Sequence, residues 1–213
     1  LLVVEADESD GTIVKYSPDA TVVLNISKDH KGIDEIKELF SRLISQSTWT
    51  AVNSDDPILV SLPATVSFGR SRSASWRSDF EELLPTSVKL FREGIEYHLP
   101  LPGDHNLENL RAALCICEHF GCDGSILASA VKDFEGVARR FCVTRTKQDI
   151  LVVDDFAHNP AKIAAVVKAS RGLSDHIIAV YQPHGFGPTR FLKEEYIATF
   201  RNVFRQQDTF YLL

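Results

Sequence analysis

The sequence predicts an α/β protein: a mainly parallel sheet with helices between its strands and a small antiparallel insert. Three observations predict it. Short β-branched runs, residues 1–4 and 20–26, end abruptly in polar and acidic residues, the pattern of buried strands. Longer segments place apolar residues at helical spacing, as Ile36, Leu39, Phe40, Leu43 and Ile44 do. Between these regions, residues 87–91 and 95–99 flank Arg92-Glu93-Gly94 and read as a hairpin.

Taken in order, residues 1–4 and 20–26 are expected strands and residues 34–47 a helix. Residues 49–52 form another apolar run, followed by Asn53-Ser54-Asp55-Asp56-Pro57, with helix-start chemistry and Pro57 in the first turn of a short helix, 58–62. Residues 65–99 alternate and contain the hairpin. A helix is expected over 105–120, stopped by Gly121, and a second over 125–134. Residues 136–140 read as a boundary, dividing the chain into domains 1–137 and 138–213. Beyond it, strands 141–146, 150–153, 176–181 and 209–213 alternate with helices 160–170 and 192–205. That order implies a parallel sheet with right-handed crossovers.

The 213 residues carry 44% hydrophobic and 24% charged side chains, with a net charge of −6. This is ordinary globular composition, and the negative charge argues against nonspecific binding to nucleic acid or anionic lipid. No apolar run approaches the roughly 18 residues of a membrane span. Cys115, Cys117, Cys122 and Cys142 lack the spacing of a zinc site and read as reduced thiols of a cytoplasmic protein. Methionine is absent and the chain starts inside an expected strand; both suggest a piece of a longer protein.

Four segments place polar groups where a strand or helix ends. In the first, residues 5–10, the acids of Glu5-Ala6-Asp7-Glu8-Ser9-Asp10 follow a strand. They read either as a magnesium–nucleotide edge or as a solvated acidic loop. In the second, His30 beside Asp29 is either a cation ligand with its tautomer fixed by the acid or a surface histidine. In the third, Asn106 and Asn109 share one helix face, and their amides carry the donor and acceptor needed to read an adenine edge; a capped helix start with polar surface residues is the alternative. In the fourth, Asp154-Asp155-Phe156-Ala157-His158-Asn159-Pro160 leads from a strand into a helix N-terminus, which suits phosphate. Arg139-Arg140 upstream can supply guanidinium to a transferring phosphoryl group. No glycine-rich phosphate loop is present, so it is expected to lie upstream of Leu1.

Together these segments resemble the Mur ligase family of peptidoglycan precursor synthesis, closest to its alanine-adding, UDP-N-acetylmuramate branch. The motifs EADESDG (5–11), NISKDH (25–30), NSDDP (53–57), PGDHNLEN (102–109), RRF (139–141), DDFAHNP (154–160) and QPH (182–184) occur in the family's order. The resemblance implies a partial central ATPase domain followed by a partial Rossmann-like C-terminal domain. It implies ATP and Mg²⁺, with Glu5 and His30 as metal ligands, Asn106 and Asn109 near the adenine, Arg140 and Asp154 reaching the nucleotide, and His158 near the acceptor amino acid. It implies Arg140, Asp154 and His158 as the catalytic groups. The implied reaction joins a UDP-sugar carboxylate to an amino acid through an acyl phosphate. The piece alone is expected to be inactive and to bind ATP–Mg²⁺ weakly.

The resemblance also leaves room for a non-catalytic nucleotide or nucleotide-sugar binder, and for a related ligase of the folate or cyanophycin type. One departure bears on the acceptor. Where the family places carboxylate-binding arginines after the QPH segment, this chain has Gly185 and Pro188, with Arg190 two residues displaced. The departure leaves the acceptor amino acid open, alanine or another.

Overall fold

The computed structural model describes residues 1–6, 8–28 and 31–213. Its contacts divide the chain into two compact units, residues 1–79 with 108–127, and residues 80–107 with 128–213.

The first unit is a parallel α/β layer. Strands β1 (Ala20–Val23), β2 (Trp49–Asn53) and β3 (Val66–Phe68) form a sheet in the order β1-β2-β3. Both pairings are parallel, with Ala20 opposite Trp49 and Ala51 opposite Val66. Every residue of β2 is buried, as a central strand covered on both faces requires. Helix α1 (Ile33–Ser45) connects β1 to β2. Its Asp34 and Glu35 lie in the first turn and Arg42 in the last, each complementing the helix dipole. Its apolar face supplies Ile36 and Ile44 to a core with Val23, Ile26, Val52, Leu59 and Leu62.

Helix α2 (Asp104–His119) has residues in both units, and its last turns belong to the first. There His119 stacks on Trp49, ring centroids 4.2 Å apart, and Glu118 accepts a 2.7 Å hydrogen bond from the Trp76 indole. Gly121 ends the helix at φ 73. The Cys122 N–H reaches the Cys117 carbonyl at 3.0 Å and the Gly121 N–H the Glu118 carbonyl at 2.9 Å. This paired arrangement needs a left-handed residue, and glycine adopts that conformation without a Cβ penalty. Helix α3 (Gly124–Lys132) follows.

The second unit contains the antiparallel insert. Strands β4 (Phe80–Leu83), β5 (Val88–Arg92) and β6 (Ile95–Leu99) form a sheet in chain order. Glu93 and Gly94 connect β5 to β6 with φ 52 and φ 79. Two consecutive positive values match the tight turn whose twist suits a hairpin. The remainder comprises β7 (Cys142–Arg145), β8 (Leu151–Asp154), α4 (Pro160–Ser170), β9 (Ile178–Tyr181), α5 (Phe186–Phe191), α6 (Lys193–Val203) and β10 (Thr209–Leu212). Strands β9 and β10 pair in parallel. Ile163 and Val167 of α4 pack with Leu192 and Tyr196, the latter on α6, and Phe200 and Phe204 close the cluster.

Three expectations need correction. Residues 1–4 form no strand: Leu1, Leu2 and Val3 are more than four-fifths exposed, at 98%, 86% and 84%. Apolar composition supplies a tendency, but a strand also needs a neighbour for its backbone hydrogen bonds. Strands β7 and β8 are antiparallel, with Cys142 opposite Asp154. Their connection, residues 146–150, is too short for the crossover that a parallel pair needs. The segment after β9 also gains a short helix, α5, before α6. Among the described residues no helix is long and apolar enough to cross a membrane.

The Asp208 carboxylate ties the start of β10 to its surroundings. It accepts from Arg171 Nη1 at 2.8 Å and from Arg171 Nη2, and from the backbone N–H groups of Arg205 and Ile177 at 2.7 and 3.0 Å. The Arg171 hydrogen bonds, assisted by these two N–H groups, hold its pKa well below the usual carboxylate range. The unfolded chain therefore takes up this proton first as pH falls below about 4. The stabilisation is complete above that pH and declines below it. Asp208→Asn is expected to lower the melting temperature at neutral pH and to flatten its decline in acid. Thermal unfolding between pH 7 and pH 2.5 checks both.

Candidate functional site

Motif 154–160 is a strand end, a loop and a helix cap in sequence. Strand β8 finishes at Asp154, which is exposed. Helix α4 begins at Pro160, where a missing N–H is harmless. Asn159 precedes it with φ −129 and ψ 163 and accepts the Lys162 N–H at 2.9 Å. Asn159 is buried, so this polar side chain is fixed in a capping role.

Two hydrogen bonds join this loop to motif 139–141. The Phe141 N–H donates to the Asp155 carboxylate at 2.8 Å, and the Phe156 N–H donates to the Arg139 carbonyl at 2.9 Å. Arg139 and Phe141 both have left-handed backbones, φ 60 and φ 51, which costs a non-glycine residue about 1–3 kcal/mol. Burial of the Phe141 ring and the two bonds offset that cost. Arg140 is thus held between two constrained residues, with its own N–H on the Val137 carbonyl at 3.0 Å. It is exposed and lines a cavity of about 380 Å³ with Pro100, Leu101 and Glu135. The neighbouring Arg139 guanidinium lies 4.7 Å from the Phe156 ring centroid, a cation–π contact.

His158 is oriented at both ring nitrogens. Its Nε2 lies 3.2 Å from Lys162 Nζ and its Nδ1 3.0 Å from the Phe156 carbonyl. An ammonium only donates and a carbonyl only accepts, so these contacts select the neutral ring with its proton on Nδ1. Tyr196 donates its hydroxyl to the His158 carbonyl, and Tyr181 donates to Tyr196 at 3.2 Å. Burial, followed by the Tyr196 contact, raises the Tyr181 phenol above its ordinary pKa, keeping it a donor. His184, in the loop after β9, lies 5.4 Å from the Phe156 ring and 6.2 Å from the His158 ring. The loops after β8 and β9 therefore gather two imidazoles and an aromatic face, with the Arg139 guanidinium from before β7 against Phe156 and the Lys162 ammonium of α4 against His158. That combination can receive an anion beside a flat ring.

Helix α2 begins near the same unit's α4. Lys168 contacts Asp104 at 3.1 Å, and a Cβ on Gly103 would lie 2.8 Å from His105 and 3.0 Å from Ala169. Glycine, at φ 100, is what permits this approach. Burial lowers the His105 pKa, although the Asp155 and Asp104 charges oppose it. Asn106 donates to the Pro102 carbonyl at 2.7 Å, which uses one of its amide hydrogens. Asn109 is exposed and belongs to the first unit.

In the first unit, Glu5 is exposed in a segment without regular structure. His30 and Asp29 lie outside the described residues, as does Asp7. Among the described residues no cluster of three His, Cys, Asp or Glu groups is placed to hold a metal. Motif 53–57 fixes the layer. Asp56 accepts Ile58 and Leu59 N–H groups at 2.8 and 3.0 Å and, through its other oxygen, the Ile26 N–H at 2.9 Å. The helix-start chemistry expected of this loop is present, as a one-turn 3₁₀ segment, Leu59–Ser61. Asp55 accepts the Arg70 and Ser71 N–H groups at 2.8 and 3.0 Å and faces the fully buried Arg111 at 3.8 Å.

Of the sequence-selected residues, Asn106, Arg140, Asp154 and His158 fall in the second unit, and Glu5 and Asn109 in the first. Asp155, His184 and Lys162 gain their roles from the geometry, and Arg139, named with Arg140 in the sequence, gains its contact with Phe156. Lys162 had a signal: it follows His158 by four residues, a helical neighbour spacing carried across the cap.

Two family descriptions match the chain: Mur ligase middle domain over residues 1–117, and Mur ligase, glutamate ligase domain, over residues 139–213. The UDP-N-acetylmuramate–L-alanine ligase of Chelativorans sp. (strain BNC1) is 33% identical over 230 residues, covering 95% of this chain and 49% of that protein. The enzyme of that name from Geotalea uraniireducens (strain Rf4) is 34% identical, covering 93% and 47%. The chain thus spans about half the length of these relatives. In fold, it is similar to the UDP-N-acetylmuramate-alanine ligase MurC of Thermotoga maritima, with a TM-score of 0.74 at 20% identity over 97% of this chain and 54% of that one. A MurF structure from Acinetobacter baumannii gives 0.74 at 20% identity, covering 92% and 46%.

Proposed function

From the premise that the chain belongs to the Mur ligase family, we propose that the whole protein is an ATP-dependent carboxylate–amino acid ligase acting on a UDP-N-acetylmuramate-type substrate in peptidoglycan precursor synthesis. The substrate carboxylate attacks the γ-phosphorus of ATP, forming an acyl phosphate and releasing ADP. The amino acid's amine then attacks the acyl carbon and expels phosphate, leaving an amide. The observation that carries the site assignment is the pair of hydrogen bonds joining residues 139–141 to Asp155 and Phe156. They make two separate family motifs into one structure.

In this reading Arg140 supports charge on the transferring phosphoryl group, Asp154 reaches the nucleotide, and Asn106 and Asn109 belong to the segment that contacts its adenine. His158, neutral and fixed by Lys162, receives a proton from the acceptor ammonium at Nε2 after Lys162 turns to the substrate. The carboxylate of Glu5 suits a hard cation that keeps water and phosphate oxygens as its other ligands. Mg²⁺ held by Glu5 with His30 would offset triphosphate charge. The division into domains 1–137 and 138–213 accompanies this proposal, as does a cytoplasmic setting, where UDP-sugars and ATP are both available to the enzyme.

The whole protein is expected to turn over ATP to ADP and phosphate in repeated cycles only when carboxylate substrate and an amine acceptor, the amino acid, are both present. Release that ignores either one, measured by a coupled ADP assay, would refute the ligase.

The acceptor contact follows the local backbone. Gly185 caps α5 with φ 79 and ψ 128, a conformation that an arginine there would adopt only under strain. Arg190, exposed on α5, is therefore assigned to the acceptor's carboxylate. Arg190→Ala is expected to raise the amino acid KM about 10-fold or more, the loss of a charged hydrogen bond. The ATP KM should stay unchanged, and steady-state kinetics with each substrate varied checks this.

A further inference from the structure

We propose that Cys117 and Cys122 form a reversible dithiol–disulfide couple at the end of α2, oxidised by low-molecular-weight disulfides. The left-handed Gly121 turns the chain back, and the Cys122 N–H bonds the Cys117 carbonyl at 3.0 Å. Adding the intervening covalent bonds keeps the two Cα atoms within at most about 7 Å, so the cap itself brings them to the upper edge of the span a disulfide bridges or closer. With the Gly121 N–H on the Glu118 carbonyl at 2.9 Å, this is the paired helix cap in which the residue after the glycine packs against the residue five before it, here Cys122 against Cys117. The remaining cysteines are placed differently: Cys115 is buried, and the Cys142 thiol donates to the Val137 carbonyl at 3.4 Å.

The turn is already held before any oxidation. His119 stacks on Trp49, and Glu118 accepts from Trp76. Bond formation therefore needs little backbone ordering, and the product closes a cap whose hydrogen bonds exist in the reduced form. Exposure sets the order of events. Cys122 is exposed and Cys117 half-buried. The Cys122 thiolate attacks one sulfur of the small disulfide and expels the other as thiolate. The Cys117 thiolate then attacks the Cys122 sulfur and expels the second small thiolate. Two protein thiols become one disulfide, the small disulfide becomes two thiols, and the protons released by the cysteines end on them.

Burial, then the neighbouring Cys122, raises the Cys117 pKa. Its thiolate is the minor form at neutral pH, so the second step should accelerate about tenfold per pH unit between pH 7 and pH 8.

The test incubates the whole protein with oxidised and reduced glutathione at graded ratios, blocks free thiols with N-ethylmaleimide, and maps peptides by mass. The expected result is a peptide containing Cys117 and Cys122 that has lost two hydrogens and carries no maleimide, with Cys142 still alkylated. Excess dithiothreitol should reverse it. Cys117→Ser should instead trap a stable glutathione adduct on Cys122. A stable adduct on Cys122 in the unsubstituted protein, or maleimide on both residues at every ratio, would overturn the proposal.

Discussion

Replacing Asp155 with alanine is expected to lower kcat/KM of the whole protein about 100-fold. Its carboxylate bonds the Phe141 N–H at 2.8 Å and so maintains the left-handed backbone on either side of Arg140, φ 60 at Arg139 and φ 51 at Phe141. Without that acceptor, the constrained turn relaxes toward ordinary dihedrals and the Arg140 guanidinium leaves its position. Misplacing a positioning group by about 1 Å can cost 100-fold. The Phe156 N–H bond to the Arg139 carbonyl survives, so the fold should persist with only a modest loss of stability. Asp155→Asn keeps an acceptor oxygen and should recover part of the rate. Steady-state kinetics, with thermal melting as a control for folding, checks the pair.

The largest stability effect is expected at Asp55. Arg111 is completely buried, and its Nη1 lies 3.8 Å from the Asp55 carboxylate, which is about a quarter exposed at 26%. Asp55 also accepts two backbone N–H groups, from Arg70 and Ser71. Asp55→Ala removes a counter-charge of a buried guanidinium and the acceptor of two backbone N–H groups together. Breaking one side of a buried ion pair costs about 3–5 kcal/mol. Partial exposure of Asp55 puts the expected loss near the lower value, about 3 kcal/mol. In a chain of this size, that lowers the melting temperature by about 6–12 °C. Asp55→Asn retains the acceptor but not the charge and should fall between. Chemical denaturation of the three proteins checks the order.

The parts of this fold that were legible in the sequence are those fixed by neighbours along the chain. Asn159-Pro160 signals a capped helix because the asparagine accepts from the third residue on, and the helix begins there. Gly121 signals a stop because the required backbone is left-handed. Glu93-Gly94 signals a tight hairpin for the same reason. Legibility failed where partners are distant or a neighbour is required. Residues 1–4 have the composition of a strand but no pairing among the described residues. The antiparallel pairing of β7 with β8 follows from a short connection, which the count of alternating elements concealed.

The site shows the same division. Residues 154–160 were recognisable as a strand end leading into a helix, but the role of Asp155 was not. Its bond reaches back 14 residues to a backbone N–H, and no periodicity records such a contact. The Arg139 contact with Phe156 is equally nonlocal, and it distinguishes the two adjacent arginines by direction. His184 approaches Phe156 from a different strand's loop, so only folding reveals the cluster.

The acyl phosphate offers the most direct test of the account. Incubating the whole protein with ATP, Mg²⁺ and the UDP-N-acetylmuramate substrate, with hydroxylamine replacing the amino acid, should yield a hydroxamate and an equivalent amount of phosphate. Binding of ATP and the carboxylate substrate with no hydroxamate and no phosphate release would contradict it.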